Sequence, residues 1–157
     1  MPGRAPLRGL VLGVALLAVA ACSASPDQTP DPPLVLPAPS GSTPAAVAEA
    51  CAALLEALPT EIDPGVERRI LADAPARLAA WGDPPIVLEC GVPLPDRQEE
   101  QVQVNGLAWT VRDSGAGYRW TTRELPVPVA VEIPDAYDNP AELVNPLAEP
   151  LLETLSD

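Results

Sequence analysis

Val102-Gln103-Val104-Asn105-Gly106-Leu107-Ala108-Trp109-Thr110-Val111 is the stretch that decides the fold. Val102 and Val104, then Leu107, Trp109 and Val111, alternate with polar or small residues, the period of a half-buried strand. Asn105-Gly106 is the pair that two-residue hairpin turns favour, since both central residues need positive φ. A bulge at this point is the alternative. Downstream, Asp113 to Gly117 reads as a second turn, and Tyr118, Trp120 and Thr122 keep the alternation. Val127, Val129, Val131 and Ile133 form another period-two face. Pro126 and Pro128, two apart, lack N–H groups on the same side, so this strand lies at a sheet edge or leaves its first residues unpaired. Upstream, the turn-like Gly82-Asp83-Pro84-Pro85 precedes a short strand, Ile86 to Cys90.

Helices flank this run. Thr43-Pro44 offers an N-cap followed by a proline at the first helical position. Val47, Cys51, Leu54, Leu55 and Leu58 then share one helical face, and Pro59 stops it. After Asn139-Pro140, the residues Leu143, Val144, Leu147, Leu151, Leu152 and Leu155 share another. Pro146 and Pro150 conflict with a straight helix, so a kink or two short pieces are expected. The expected class is α+β: an antiparallel sheet of four to five strands with N-terminal and C-terminal helices packed against it.

Composition narrows the chemistry. The chain has 157 residues, 9 Lys+Arg against 22 Asp+Glu, a formal net charge of −13 and no His. Every cation is Arg. Without His there is no Ser-His-Asp or Cys-His apparatus and no imidazole-ligated metal. Without Lys there is no Schiff base and no phosphate-binding Lys loop. Acidic charge without basic clusters argues against nucleic acid as a partner.

The N-terminus reads as an address. Arg4 and Arg8 precede an uncharged run from Leu10 to Ala21, which is shorter than the roughly 20 apolar residues of a spanning helix. Val19-Ala20-Ala21-Cys22 resembles the bacterial lipobox. That resemblance implies a lipoprotein signal peptide over residues 1–21, cleavage before Cys22 and diacylglycerol on the Cys22 sulfur. Two acyl chains suffice for stable anchoring. Residues 22–44 are rich in Pro, Ser, Thr and Asp and read as a disordered tether, with Leu34-Val35-Leu36 an undocked part of it; docking of this short apolar stretch is the alternative. Residues 45–157 form one domain.

With Cys22 assigned to lipid, Cys51 and Cys90 remain as an even pair in an exported domain, and a disulfide tying helix to sheet is expected. Two buried free thiols are the alternative.

Several segments together resemble a known family. In order they are Leu58-Pro59 after a Cys-bearing helix, Glu67-Arg68-Arg69, Ala80 to Val92 (AWGDPPIVLECGV), Val104 to Trp109 and Trp120-Thr121-Thr122. They resemble an uncharacterised family of actinobacterial membrane-anchored proteins, domain-of-unknown-function family 3515, over roughly Cys51 to Leu155. The family pattern often has Arg where this chain has Glu89. The family carries no assigned activity, so the resemblance implies no catalytic residues and no cofactor.

Arg68, Arg69, Trp81, Asp83 and Arg123 are a candidate ligand surface, since an indole beside guanidinium groups suits a glycan, a peptide or an anion. The competing reading has Trp81 in the core, Asp83 starting a turn and the Arg residues paired with acids. Asp135, Asp138, Asn139 and Glu142 supply oxygen atoms but lack calcium-loop spacing. No catalytic, cofactor or metal residues are assigned. The expected protein is a non-catalytic binding or scaffolding module of the cell envelope, lipid-anchored on the extracytoplasmic face of the membrane, with an envelope protein or glycan as partner. A carboxylate-based envelope hydrolase is the alternative.

Overall fold

A computed structural model of the chain describes residues 32–39, 43–73, 76–96 and 99–156. The signal segment and Cys22 lie outside them. Helix α1 (Ala45–Ala57) is followed by strands β1 (Leu78–Trp81), β2 (Ile86–Cys90), β3 (Gln101–Val104), β4 (Leu107–Asp113), β5 (Gly117–Thr122) and β6 (Val129–Pro134). Helix α2 (Pro140–Val144), a 3-10 turn over Asn145–Leu147 and helix α3 (Ala148–Leu155) close the chain. No helix among the described residues is long and apolar enough to cross a membrane.

The six strands form one antiparallel sheet in the order β1-β2-β6-β5-β4-β3, where four to five were expected. The added strand is β1. Its residues Leu78-Ala79-Ala80-Trp81 are buried without exception, so they show no alternation for a period-two reading to catch.

The β3–β4 hairpin turns on Asn105 (φ 47°) and Gly106 (φ 84°), with Val104 opposite Leu107, and has no bulge. Strand β6 lies inside the sheet, between β2 and β5. Pro126 and Pro128 fall before its first residue, and the Pro128 carbonyl accepts from Gly91 N–H (2.8 Å) and Val92 N–H (3.1 Å). Unpaired leading residues, rather than an edge position, therefore accommodate the prolines. Pro44 sits at the N-cap of α1 with no side-chain cap, one position before its expected place. The proline conflict in the C-terminal stretch resolves as two helices joined by the tight turn at Asn145-Pro146.

One sheet face is apolar. Ala79 and Trp81, Ile86, Leu88 and Cys90, Val129, Val131 and Ile133, Trp120, and Leu107 and Trp109 share it and form the core with α1, α2 and α3. Trp109 and Trp120 meet edge to face at 6.3 Å, and neither indole N–H has a partner. Cys51 of α1 is bonded to Cys90 of β2, 39 residues on, with both side chains fully buried. The cross-link pins the helix onto the sheet.

Within Pro32–Pro39 the docked reading of Leu34-Val35-Leu36 is the one the structure shows. Leu34 makes a parallel bridge to Leu71: its N–H donates to the Ile70 carbonyl (2.8 Å), and its carbonyl accepts from Ala72 N–H (2.9 Å). Leu34-Val35-Leu36 is the proline-free gap in the segment, the one place able to offer consecutive N–H groups to an unpaired backbone.

Candidate functional site

Among the described residues no helix packs on the second sheet face. Period two turns toward it Leu78 and Ala80 of β1, Val87 and Glu89 of β2, Glu132 of β6, Arg119 and Thr121 of β5, and Thr110 and Arg112 of β4. These residues alternate with the core residues of the same strands. The face is covered from two sides. Residues Leu36–Pro39 flank its β1 side, and the loop Val92–Asp96 crosses toward β4. The Arg123 guanidinium holds that loop by donating to the Asp96 carbonyl at 2.9 Å.

Between the two covers lies a groove with lobes of about 530 and 510 Å³. The lobes share Val92, Pro93, Arg119 and Glu132. The floor is an alternating charge ladder. Arg119 contacts Glu132 at 3.3 Å and Glu89 at 3.7 Å. Arg77 reaches the other Glu89 oxygen at 3.8 Å and donates to the Gly91 carbonyl at 3.1 Å. At the far end Arg112 approaches Glu99 at 3.7 Å. Strand order explains the ladder: Glu89, Glu132 and Arg119 come from the adjacent strands β2, β6 and β5, and Arg119 lies directly opposite Glu132. Beside them Thr110 and Thr121 are cross-strand partners, and the buried Thr110 hydroxyl has no hydrogen-bond partner.

The candidate surface from the sequence lies elsewhere. The Arg68 guanidinium donates to the Leu55 (2.9 Å) and Leu58 (3.3 Å) carbonyls at the end of α1 and stands 5.9 Å over the Trp81 ring. Its pKa falls below the ordinary arginine value because burial removes water from the charge. Trp81 is wholly buried and donates its indole N–H to the Pro59 carbonyl at 3.0 Å. Arg69 donates to the Gly82 carbonyl at 3.0 Å. Asp83 is exposed in the next turn. Arg68, Arg69, Trp81 and Asp83 thus share one corner, where Arg68, Arg69 and Trp81 each donate to backbone carbonyls. Arg123 does not join them. It follows the C-terminal end of β5, and antiparallel register puts that end beside Cys90 and Val129, away from Trp81.

The groove residues Arg77, Glu89, Arg119 and Glu132 were not singled out from sequence. For Glu89, Arg119 and Glu132 the signal was present as the polar halves of the alternating strands. The strand order that makes neighbours of β2, β6 and β5 was not. Among the described residues no group of three or more His, Cys, Asp or Glu is placed to hold a metal ion.

A family model described as a protein of unknown function matches residues 8–157. The chain belongs to the DUF3515 family. No curated protein and no solved structure matches it.

The stretch that carried the DUF3515 resemblance most specifically, Ala80 to Gly91, now has a physical account. Trp81 fills the core. Gly82 has φ +70°, and a Cβ there would collide with the Tyr137 hydroxyl. That hydroxyl donates to the Pro84 carbonyl at 2.7 Å, across a turn whose Asp83-Pro84 bond is cis. Cys90 holds α1, and Gly91 has φ +73°, where a Cβ would press on Val47. The motif builds the corner and the cross-link, and these in turn position Glu89 on the groove side.

Proposed function

We propose that this DUF3515 protein is a non-catalytic binding module of the cell envelope, held on the extracytoplasmic face of the membrane by lipid on Cys22, and that its ligand occupies the groove on the open sheet face. The observation that carries the reading is the Glu89–Arg119–Glu132 ladder on a face covered by two irregular segments instead of a helix. A sheet face meant only for stability is buried under a helix or left in water. This one is half-enclosed and charged, the setting in which a few placed polar groups give selectivity. The buried Cys51–Cys90 disulfide supports an oxidising compartment. The positive leader, the short apolar run and Val19-Ala20-Ala21-Cys22 support the anchor. Both floor carboxylates face one guanidinium, an arrangement suited to recognition.

Two measurements test the proposal. Radiolabelled palmitate should enter the wild type and not Cys22→Ala; equal labelling removes the anchor. A photoreactive side chain at Leu94, on the groove wall, should give a discrete adduct in the native membrane that disappears with Arg119→Ala. The same group at Glu149, on the helical side, should not give that adduct. Identical adducts from both positions would refute the groove as the binding site.

A further inference from the structure

One wall of the groove belongs to the chain's own N-terminal segment, and its chemistry indicates what the groove accepts. In Pro32-Pro33-Leu34-Val35-Leu36-Pro37-Ala38-Pro39, the residues Pro32, Leu36 and Ala38 each precede a proline. A residue before proline is driven to extended backbone, so much of the bound conformation exists before docking. Leu34 and Leu36 turn inward and are half-buried, while Val35 between them is 77% exposed. That is strand periodicity in a segment with a single bridge. The bridge has two hydrogen bonds, between Leu34 and Ile70–Ala72, and the flanking prolines supply no N–H to lengthen it. From there Leu36–Pro39 borders the lobe that contains Leu78, Val87 and Glu89. Two hydrogen bonds and two half-buried leucines make a contact that can exchange.

Other ligand classes fit less well. Among the described residues no aromatic side chain lines either lobe, so a sugar ring finds none there to stack on. Each floor cation already faces a carboxylate, so a simple anion would have to displace one.

We propose that the Ile70–Ala72 edge, together with the groove rim that Leu36–Pro39 borders, is a peptide-recognition site, that residues 32–39 occupy it in cis, and that its partner is an extended, proline-flanked aliphatic segment of another polypeptide, which replaces them at the Ile70–Ala72 bridge. The proposal rests on the groove being the functional site and names its ligand class. Backbone pairing supplies affinity, and the alternate inward aliphatic residues supply selectivity, as in strand addition generally.

The test uses the full-length protein in detergent, with the synthetic peptide Pro-Pro-Leu-Val-Leu-Pro-Ala-Pro as probe. Hydrogen exchange at Ala72 reports the bridge, and fluorescence anisotropy of labelled peptide reports binding in trans. In the wild type, Ala72 is protected and the peptide competes poorly with its covalent counterpart. Leu34→Pro removes a donor of the bridge. Exchange at Ala72 should rise about tenfold, labelled peptide should bind at least about tenfold more tightly than to wild type, and excess peptide should restore the protection. Val35→Pro should behave as wild type, because the bridge uses the N–H and carbonyl of Leu34. Should Leu34→Pro lose the near-ultraviolet tryptophan signal of the core, Leu34→Gly, which keeps the N–H but deletes the half-buried side chain, should raise Ala72 exchange and peptide binding in the same direction by a smaller factor. Equal peptide binding by wild type and variant overturns the proposal. So does fast Ala72 exchange in the variant without peptide binding. Either result leaves the groove itself to be judged by the Leu94 cross-link.

Discussion

Gly82 concentrates the constraints of the corner at one residue. Its positive φ costs a side chain about 1–2 kcal/mol, and the space a Cβ would take is held by the Tyr137 hydroxyl. Gly115 has a similar φ of 84° with nothing nearby. Gly115→Ala should therefore cost roughly 1–2 kcal/mol by denaturant midpoint at unchanged slope. Gly82→Ala should cost about 1 kcal/mol more, because it also disrupts the hydrogen bond to Pro84. In a Tyr137→Phe background the extra cost should vanish; if it persists, the hydroxyl is not the obstacle. The same hydroxyl gives a pH signature. Burial, aided by the nearby Asp83 charge, pushes the Tyr137 pKa above the ordinary tyrosine value, outweighing the opposing effects of the Asp83 backbone and of Arg69. A raised folded pKa means that the native state binds more protons than the unfolded state in that range. Its contribution is therefore complete below pH about 10 and is lost as pH rises through the folded value. The chain has no Lys to obscure this range. Stability should fall above pH about 10 in the wild type and less steeply in Tyr137→Phe. Urea midpoints on both sides of that pH decide it, and parallel curves would dismiss Tyr137 as the source.

Between elements, the strongest single tie is the disulfide from α1 to β2. A loop of 39 residues corresponds to roughly 4 kcal/mol in the chain-entropy model, which is an upper estimate for many proteins. Reduction, or paired Cys51→Ala and Cys90→Ala substitutions, should lower the unfolding free energy by about 2–4 kcal/mol and leave far-ultraviolet dichroism intact at low temperature. A change under about 0.5 kcal/mol would show that packing of Leu54 and Leu58 already fixes the helix. Most elements were legible because each carried a local signal. Asn105-Gly106 set a hairpin, alternation marked β3, β4, β5 and β6, a turn at Gly82–Pro85 announced β2, and Pro146 announced a broken C-terminal helix. What escaped was non-local. Strand β1 lacks alternation because Leu78 and Ala80, which face the open side, are buried as fully as Ala79 and Trp81 on the core side. Pro126 and Pro128 were equally compatible with an edge and with an unpaired lead-in, and only the neighbours β2 and β5 distinguish the two. The groove was half legible: Glu89, Arg119 and Glu132 occupy the polar positions of their strands, but their adjacency depends on sheet order. Docking of Leu34 rests on one bridge, which no sequence periodicity records.

Over the whole molecule two electrostatic effects oppose each other. The chain carries 22 acids against 9 Arg, with a pI near 4.2, so near neutral pH its charges repel on average and disfavour the compact state. Against this, Arg77, Glu89, Arg119 and Glu132 form a paired strip on the open face. Exposed and half-exposed pairs contribute about 0–1 kcal/mol each, and four groups in one network do not offset the repulsion of an excess spread over the surface. Raising salt from about 0.01 to about 0.15 M shortens the Debye length from roughly 30 to 8 Å, which screens the long-range repulsion more than contacts under 4 Å. The thermal midpoint should therefore rise with sodium chloride near neutral pH. Arg119→Met removes the cation between Glu89 and Glu132 and leaves two like charges on neighbouring strands. That variant should be less stable at low salt and should regain more of its midpoint as salt is added. A midpoint that falls with salt in the wild type, and falls less in Arg119→Met, would mean that the ladder outweighs the net charge and chiefly supports the fold. The groove floor would then be a structural strip, with its charges committed to one another and not to a ligand.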